Sequence, residues 1–581
     1  MRLIFVKVQN FRNLDNIEVS LHQRSNYIIG ENNIGKSNFL NLLDILCNGR
    51  SFDDDDFADP HMPIEVTVQI KLSSEEQGFF DDNFMPDDSS IVRIKYIQRV
   101  DEAYPSITFI DSGESVQRKQ LQKLHFIKYE TTLNPSKLLR VDGTSGAGLI
   151  MKSIIDRYVE GEGQTSFLNA EKIGALSEFI NSHFGKIHSF KEYSIKAAIS
   201  ENPSELLSRL YYFSDGNREI SDTGSGVQYM AMASIYILGQ IIEIYNRKAF
   251  PFEEQIYIDE SGKRVLPVIM AVDEPEVHLH PFLQRSLISY YKSVLDGSDT
   301  NFNELLDMCF GIQRITGQLI VVTHSPDILI DDYRNLVRFY RKESVTCCVG
   351  GTTVNLTSEY EKHLIMRFQD IKEAFYSRCA IIIEGETEYG CIRGFAKSLN
   401  ISLDAEEISI INAQGQNSIK PLRTLFEKFD IPCIVIYDSD VKQGLVPRDG
   451  EYFTKELFFE IEIVKGLFNQ GKHELLSSIV RELDDRGMNE TMDADFVRKT
   501  FKKIGADITN YIPRKLSEVS SDDEIDFCNM YSAWFNAKKG IMLGKVIGEL
   551  VPAENIPECY ANAIRKAKEV ASNAWKQQGK T

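Results

Sequence analysis

The segment at 30–37, Gly-Glu-Asn-Asn-Ile-Gly-Lys-Ser, decides the first part of the fold. It fits the pattern G-x-x-x-x-G-K-[ST] and lies between a short apolar run and leucines at helical spacing. Glycines let backbone N–H groups turn toward phosphates, and the start of a helix adds positive potential. The sequence therefore predicts an ATP site. The residues predicted to bind ATP in this segment are Gly30, Asn33, Gly35, Lys36 and Ser37.

The second half of such a site is an apolar strand that ends in acidic residues. The run 265–272 ends in Asp273 and Glu274. Lys36 would reach the β- and γ-phosphates, and Ser37 and Asp273 would together hold Mg²⁺. Glu274 would orient or deprotonate the water that attacks the γ-phosphate.

Two further features narrow the class of ATPase. The strand at 318–323 ends in His324, which is placed to hydrogen-bond the γ-phosphate as a switch. Gly224, Ser225 and Gly226 open a predicted helix, and small residues at a helix start make an anion site. A structural histidine and a plain N-cap turn are the alternatives.

This ordered set of motifs resembles the ABC-type ATPases of the SMC/RecF branch. In that branch the Gly-Ser-Gly element completes the nucleotide site of the partner subunit, so the resemblance implies a homodimer or a dimer-of-dimers tetramer. It also implies a helical arm between the two P-loop motifs. His278 to Pro281 is similar to the D-loop of that group, while Asp56-Phe57 and Gln69 are only candidates for its Q-loop.

The pattern of alternating strands and helices restarts near residue 377. An apolar strand at 379–383 precedes Glu384 and Glu388, and another at 433–437 precedes Asp438 and Asp440. The carboxyl ends of parallel strands share one edge of a sheet, so we expect these carboxylates to converge. Oxygen ligands suit Mg²⁺ or Mn²⁺, and two such ions can cleave a phosphodiester.

The order E-G-x-x-E and then D-x-D on a βαβαβ pattern resembles the Toprim domain. An ATPase of this branch followed by Toprim resembles the OLD (overcoming lysogenization defect) family of nucleases, with length and spacing similar to the Gabija-type nuclease or a retron-associated OLD effector. The resemblance implies an acidic motif matched by Glu460 or Glu462, and a lysine that stabilises charge on the cleaved phosphate. The candidates for that lysine are Lys539, which is preferred, and Lys545. The implied metal ligands of the nuclease site are Glu384, Glu388, Asp438, Asp440 and one or both of Glu460 and Glu462.

The fold class predicted is α/β, with an N-terminal ABC-type ATPase and a C-terminal Toprim domain with helical additions. The expected divisions are the first ATPase part (1–144), a helical dimerisation insertion (145–215), the second ATPase part (216–345) and the Toprim domain (375–581).

Composition limits the function classes. The 581 residues include 65 Lys and Arg against 85 Asp and Glu, a formal charge of −20. This balance argues against a protein that coats nucleic acid through bulk charge, although it permits a local basic groove. No apolar run reaches the roughly 18–20 residues of a membrane span, and nine scattered cysteines without C-x-x-C suit a reducing cytoplasm.

Together these features predict a metal-dependent DNA endonuclease or nickase that an ABC-type ATPase controls, with ATP and Mg²⁺ or Mn²⁺ as cofactors. The setting implied by the resemblance is defence against invading DNA. A UvrD-like helicase and a reverse transcriptase with its small nucleic acid are both open as partners. The alternative is an ATP-switched clamp or scaffold whose Toprim domain is silent. A topoisomerase is a third class, although no segment presents the separate nucleophilic tyrosine that it needs.

Overall fold

The computed structural model describes residues 1–81, 83–130, 135–140, 146–152, 155, 214–215, 218–219, 224–246, 251–343, 345–439, 448–488, 490, 501–502 and 514–576. Nearly all of the predicted helical insertion at 145–215 lies outside these residues, as does Asp440. The chain forms two compact units. The first contains Met1–Ile28 and Gly35–Ile330, and the second contains Ile29–Ile34 and Asp331–Thr581.

The first unit carries most of the nucleotide-binding motifs. Its strands are β1 (Arg2–Gln9), β2 (Ile17–Ser20), β3 (Ser25–Gly30, whose last two residues belong to the second unit), β4 (Ile64–Lys71), β5 (Ile91–Gln98), β6 (Ser106–Phe109), β7 (His125–Glu130), β8 (Ser214–Asp215), β9 (Arg218–Glu219), β10 (Tyr257–Ile258), β11 (Arg264–Asp273) and β12 (Arg314–Val322). Its helices are α1 (Lys36–Asn48), α2 (Arg118–Leu121), α3 (Pro135–Leu138), α4 (Ser225–Tyr245), α5 (Pro281–Leu295) and α6 (Thr300–Phe310).

Two sheets organise this unit. One is an antiparallel sheet of order β2-β1-β4-β5-β6. In the other, β11 lies parallel to β12, β12 lies parallel to β3, and β7 pairs with β11. Strands β3, β11 and β12 are buried along almost their whole length, as continuous apolar runs in parallel sheets should be. In the register, Asp273 pairs with Val322 and Val322 pairs with Ile28, so the ends of the three motif strands lie level.

The second unit is built on a parallel sheet of order β16-β15-β17-β18. Its strands are β13 (Leu336–Lys342), β14 (Val345–Gly350), β15 (Cys379–Ile383), β16 (Ile408–Asn412), β17 (Cys433–Tyr437) and β18 (Glu451–Phe453). Its helices are α7 (Ser358–Ile371), α8 (Glu386–Ser398), α9 (Gln416–Lys428), α10 (Phe459–Asn469), α11 (His473–Asp485), α12 (Glu524–Ala537), α13 (Ile541–Leu550) and α14 (Glu558–Lys576).

The apolar core of this unit joins the sheet to the C-terminal helices. Phe395, Trp534 and Tyr560 are fully buried in it. Because β15 is flanked by β16 and β17, Glu384 and Asp438 follow neighbouring strands and lie at one edge of the sheet. None of the described helices is long and apolar enough to cross a membrane.

A buried arginine ties the β13–β14 hairpin to the rest of the second unit. The guanidinium of Arg338 donates to the backbone carbonyl oxygens of Phe375, Ser377, Phe429 and Asp430 at 2.9–3.2 Å. Burial lowers the pKa of Arg338 to about 10, so the group keeps its charge at neutral pH. The hairpin is therefore held by charge-assisted hydrogen bonds as well as by apolar packing.

Candidate functional site

Two glycines of the P-loop, Gly30 and Gly35, have backbone conformations with a positive φ. Gly30 has a φ of +140°, and a Cβ atom there would lie 2.1 Å from the carbonyl oxygen of Phe339. Gly35 has a φ of +106° and is the N-cap of α1. No described side chain caps this helix start, and its first turn holds no acid. The backbone N–H groups at this end of α1 are therefore suited to an anion.

The predicted Mg²⁺ ligands lie together. The Ser37 hydroxyl donates to Oδ1 of Asp273 at 3.2 Å. Burial raises the pKa of Asp273, and the hydrogen bond from Ser37 partly offsets this. A bound cation beside these two oxygens would favour the ionised carboxylate.

The two residues predicted to act at the γ-phosphate are also adjacent. Nε2 of His324 lies 3.4 Å from Oε1 of Glu274. Burial lowers the pKa of His324, as does the charge of Lys36 to a smaller extent, while Glu274 opposes them. The imidazole is therefore favoured in its neutral form, which has one donor and one acceptor nitrogen.

Sequence reasoning missed a buried acid that holds the backbone beside this pair. Glu276 accepts the Thr323 hydroxyl at 2.9 Å and the His324 backbone N–H at 2.6 Å. Burial raises the pKa of Glu276, and these hydrogen bonds lower it. Its place two residues after Glu274 was the available signal, but only the tertiary structure shows its partners.

A second missed group supports the start of α1. The Arg12 guanidinium lies 2.8 Å from Oδ1 of Asp56 and 2.8 Å from Oδ1 of Asn38, which follows Ser37. Asp56, a Q-loop candidate in the sequence, is thus the buried partner of an arginine.

The Gly-Ser-Gly element is described in part. Gly224 is exposed and is the N-cap of α4, which begins at Ser225 and continues through Gly226. The side chain of Ser225 lies outside the described residues. The helix start that the motif predicts is present, and its proposed role toward a partner subunit stays a prediction.

In the second unit, a cavity of about 600 Å³ collects most of the predicted nuclease residues. The predicted residues that line it are four carboxylates and a lysine: Glu384, Glu388, Asp438, Glu460 and Lys539. A fifth carboxylate, that of Glu386, lines it too. Gly385, Thr387, Gln414, Asn536 and Gly540 also line it. Five of the residues predicted from sequence therefore face one space, although they are up to 155 positions apart in the chain (539 − 384).

The cavity concentrates negative charge. Burial raises the pKa of Glu388 to about 8, and the charges of Glu460 and Glu384 add to this rise. Burial also raises the pKa of Glu460, while a hydrogen bond from Thr387 and the charge of Lys539 lower it. Such a cluster is relieved by bound cations, and its all-oxygen donor set fits a divalent ion.

The carboxylates surround the cavity without closing on a point. Among the described residues, no three Asp, Glu, His or Cys side chains lie close enough to chelate one ion. Mg²⁺ usually keeps several of its waters, so ligands spaced around a cavity of this size still suit it. Asp440, the remaining predicted ligand, lies outside the described residues.

The structure separates the two acids that the sequence left open. Glu460 lines the cavity. Glu462 instead accepts the backbone N–H groups of Lys455 and Glu456 at 2.8 and 2.7 Å. Its carboxylate holds the loop after β18, so its contacts are those of a structural residue.

Close helix packing carries Lys539 to the cavity. Helices α8 and α13 meet through glycines. A Cβ atom added at Gly394 would lie 2.3 Å from the carbonyl oxygen of Gly548. A Cβ atom added at Gly544 would lie 1.9 Å from the carbonyl oxygen of Thr387. Gly540, with a φ of +145°, is the N-cap of α13 and follows Lys539 directly. Lys545, the other candidate lysine, lies one turn further along α13 and is 3.9 Å from Glu549.

An ion pair joins the P-loop to the start of the Toprim sheet within the second unit. Nε of Arg378 lies 3.0 Å from Glu31 and 2.9 Å from Glu407. The Arg378 side chain is 9% exposed, so these interactions are poorly screened by solvent. Burial raises the pKa of Glu407, and Arg378 opposes that rise. Arg378 immediately precedes β15, the strand that leads to Glu384.

Comparisons with known proteins agree with this architecture. Residues 375–440 match the family model "Overcoming lysogenization defect protein-like, TOPRIM domain", and residues 1–145 and 155–329 match "AAA ATPase domain". Endonuclease GajA from Bacillus cereus (strain HuB5-5) is 20% identical over 564 residues, covering 81% of this chain and 78% of the relative. Old nuclease of Escherichia phage P2 is 22% identical over 506 residues, covering 77% and 78%.

Solved structures overlap parts of the chain. An Smc head bound to the C-winged helix domain of ScpA has 15% identity and a TM-score of 0.32, and the match covers 62% of this chain and 100% of that one. The C-terminal region of the Xanthomonas campestris OLD protein has 17% identity and a TM-score of 0.24, with 36% and 99% covered.

An AAA-type ATPase domain followed by an OLD-like Toprim domain defines an enzyme that combines an ATPase with a nuclease. The chain belongs to the AAA ATPase domain family through residues 1–145 and 155–329, and residues 375–440 match the Toprim domain of OLD-like proteins. The family resemblance and the fold class predicted from the motifs are thereby confirmed, and the two domains imply the use of a nucleotide and of a divalent metal ion. The roles of individual residues stay predictions.

Proposed function

We propose that this protein is a metal-dependent DNA endonuclease or nickase whose cutting is controlled by ATP at the P-loop site. The observation that carries the proposal is the single cavity lined by Glu384, Glu388, Asp438, Glu460 and Lys539. A fold without this chemistry would have no need to gather five acids and a lysine around one cavity, because the mutual repulsion and burial of the acids are costly.

In the nuclease site, the acids that line the cavity would hold Mg²⁺ or Mn²⁺, together with Asp440. When bound, two such ions activate water and stabilise the leaving oxygen of a phosphodiester. Lys539 lines the same cavity, where its positive charge would stabilise the negative charge that develops on the cleaved phosphate. Glu462 is not one of these ligands, because it does not line the cavity and its Oε2 already accepts two backbone N–H groups.

In the ATPase site, Lys36 and the start of α1 would bind the phosphates, and Ser37 with Asp273 would hold Mg²⁺. Glu274 would orient the attacking water, with His324 beside it as the γ-phosphate switch. We further propose that Gly224, Ser225 and Gly226 complete the site of a second copy, as a homodimer or a dimer-of-dimers tetramer. The domain divisions at 1–144, 145–215, 216–345 and 375–581 belong to the same proposal.

The biological role proposed is defence against invading DNA, since one relative carries the name Endonuclease GajA. A UvrD-like helicase or a reverse transcriptase with its small nucleic acid would be the partner. Neighbouring genes distinguish the two.

The decisive test is cleavage of supercoiled plasmid by purified protein with Mg²⁺ or Mn²⁺. Asp438→Ala should reduce the rate on the order of 10²–10⁴-fold, because several kcal/mol of metal-assisted stabilisation would be lost. Asp449→Ala is the matched control, since its side chain is 91% exposed. Equal cleavage by wild type and Asp438→Ala would refute the nuclease site, and absence of cleavage by the wild type would favour the clamp or scaffold.

A parallel assay tests the nucleotide site. Lys36→Ala should abolish ATP hydrolysis, while Lys7→Ala, at an exposed ion pair, should not. The effect of Lys36→Ala on plasmid cleavage would then show whether ATP promotes or restrains cutting. Hydrolysis that persists in Lys36→Ala at the wild-type rate would refute the assignment of the P-loop.

A further inference from the structure

Thr387 is a buried residue in the wall of the carboxylate cavity and is 3% exposed. Its hydroxyl donates to Oε1 of Glu460 at 2.8 Å and accepts the backbone N–H of Gly540 at 3.0 Å. One hydroxyl therefore connects the start of α8, the start of α10 and the turn before α13. These three segments carry the cavity residues Glu388, Glu460 and Lys539.

The direction of both hydrogen bonds is fixed by chemistry. A backbone N–H can only donate, so the hydroxyl oxygen must accept from Gly540. The single hydroxyl proton is then directed to Glu460, whose Oε1 accepts it. This contact restrains the rotation of the Glu460 carboxylate at the wall of the cavity.

We infer that Thr387 is a positioning residue of the nuclease site, which sets Glu460 and the Lys539–Gly540 turn relative to Glu384 and Glu388. The inference rests on the proposed nuclease function. Residues that hold metal ligands by hydrogen bonds typically change metal affinity or activity by about 10–100-fold when they are replaced. Valine has nearly the shape of threonine but no hydroxyl, whereas serine keeps the hydroxyl and loses only a methyl group.

The test compares Thr387→Val with Thr387→Ser in the full-length protein. Thr424→Val is the matched control, because the Thr424 hydroxyl donates only to a carbonyl oxygen within α9. Three quantities are measured for each variant: Mn²⁺ binding from the EPR signal of free Mn²⁺, plasmid cleavage as a function of Mn²⁺ concentration, and the urea midpoint of unfolding. We expect the Mn²⁺ affinity and the cleavage rate of Thr387→Val both to fall by about 10–100-fold. Excess Mn²⁺ should partly restore its cleavage.

Thr387→Ser and Thr424→Val should bind and cut within about threefold of wild type, since both keep the hydrogen bonds at the cavity. If Thr387→Val binds Mn²⁺ and cuts like wild type, the inference is wrong. Equal defects in Thr387→Val and Thr387→Ser would also overturn it, because the lost methyl group would then be responsible. Should Thr387→Val not fold, Thr387→Ala against Thr387→Ser decides by the same criteria.

Failure of the proposed nuclease function would give a different set of results from failure of the positioning role. Wild-type protein that cuts no DNA refutes the nuclease, whatever the variants do. If the wild-type protein binds Mn²⁺ but cuts no DNA, and only Thr387→Val has a lower Mn²⁺ affinity, the positioning role stands without the nuclease. If neither Mn²⁺ binding nor cleavage is detected in wild type, both are refuted.

Discussion

Replacing Gly544 by alanine should disturb the nuclease site from a distance. A Cβ atom at this position would lie 1.9 Å from the carbonyl oxygen of Thr387 and 3.0 Å from Cα of Gly390. Non-bonded carbon atoms pack best at about 3.5–4.0 Å, so α8 and α13 would have to separate by more than roughly 1 Å. Both obstructing atoms belong to backbone, which cannot rotate away as a side chain can.

Two effects of this separation can be estimated. Overpacking of a tight contact costs about 1–3 kcal/mol of unfolding free energy. The shift also moves α8, which bears Thr387 and Glu388, away from the turn that bears Lys539. A misplacement of about 1 Å in a catalytic site can reduce the rate on the order of 10²-fold.

The assay is urea unfolding followed by circular dichroism, together with plasmid cleavage in Mn²⁺. Gly466→Ala is the matched control, because Gly466 lies inside α10 with nothing within 4 Å of an added Cβ. Alanine there should stabilise the protein by about 0.5–1 kcal/mol and leave cleavage unchanged. If Gly544→Ala and Gly466→Ala behave alike in both measurements, the glycine contact does not position Lys539.

Three shorter predictions concern buried charge. Glu462→Ala should lower the unfolding free energy by about 1–3 kcal/mol, since two backbone N–H groups lose their acceptor. Glu460→Gln should instead reduce Mn²⁺ binding more than it reduces stability. Calorimetry of Mn²⁺ binding and urea unfolding check both, and the opposite pattern would reverse the roles of the two acids. Burial raises the pKa of Glu388 from 4.5 to about 8, so the folded protein holds a proton that the unfolded chain releases. Without metal its contribution to stability should therefore be lost as the pH rises from about 4.5 to about 8, and Mn²⁺ should raise the melting temperature most at the alkaline end. Thermal scans in EDTA and in Mn²⁺ check this, and Glu388→Gln with an unaltered pH profile would contradict it. Arg338→Met should cost at least about 2–3 kcal/mol in urea unfolding because several buried carbonyl oxygens lose their donor, and a wild-type midpoint would show that the guanidinium is dispensable.

Much of the fold follows from the sequence by simple rules. The glycines and Lys36 of the P-loop, the strand before Asp273 and the strand before His324 indicate one parallel sheet, whose carboxyl ends share an edge. The same rule brings Glu384 and Asp438 to neighbouring strand ends. These predictions succeed because they depend on local pattern and on a general property of parallel sheets.

The remaining features depend on contacts between distant segments. Glu460 and Glu462 both lie in the first turn of α10, and only their tertiary contacts distinguish them. The two G-x-x-x-G patterns, Gly390–Gly394 and Gly544–Gly548, are visible in the sequence, but nothing local shows that they face each other. Thr387 carries no signal beyond its place between two predicted ligands.

The hydrogen bonds of Arg338 set a practical limit on how the nuclease part can be excised. The Toprim family match begins at residue 375, yet the buried guanidinium at 338 donates to carbonyl oxygens at 375, 377, 429 and 430. A fragment cut at 375 would leave those acceptors in contact with solvent or unsatisfied. A useful cloning boundary therefore lies at or before Asp331. A peptide spanning Ile29–Ile34, supplied in trans, would carry Glu31, one of the two carboxylates that pair with Arg378.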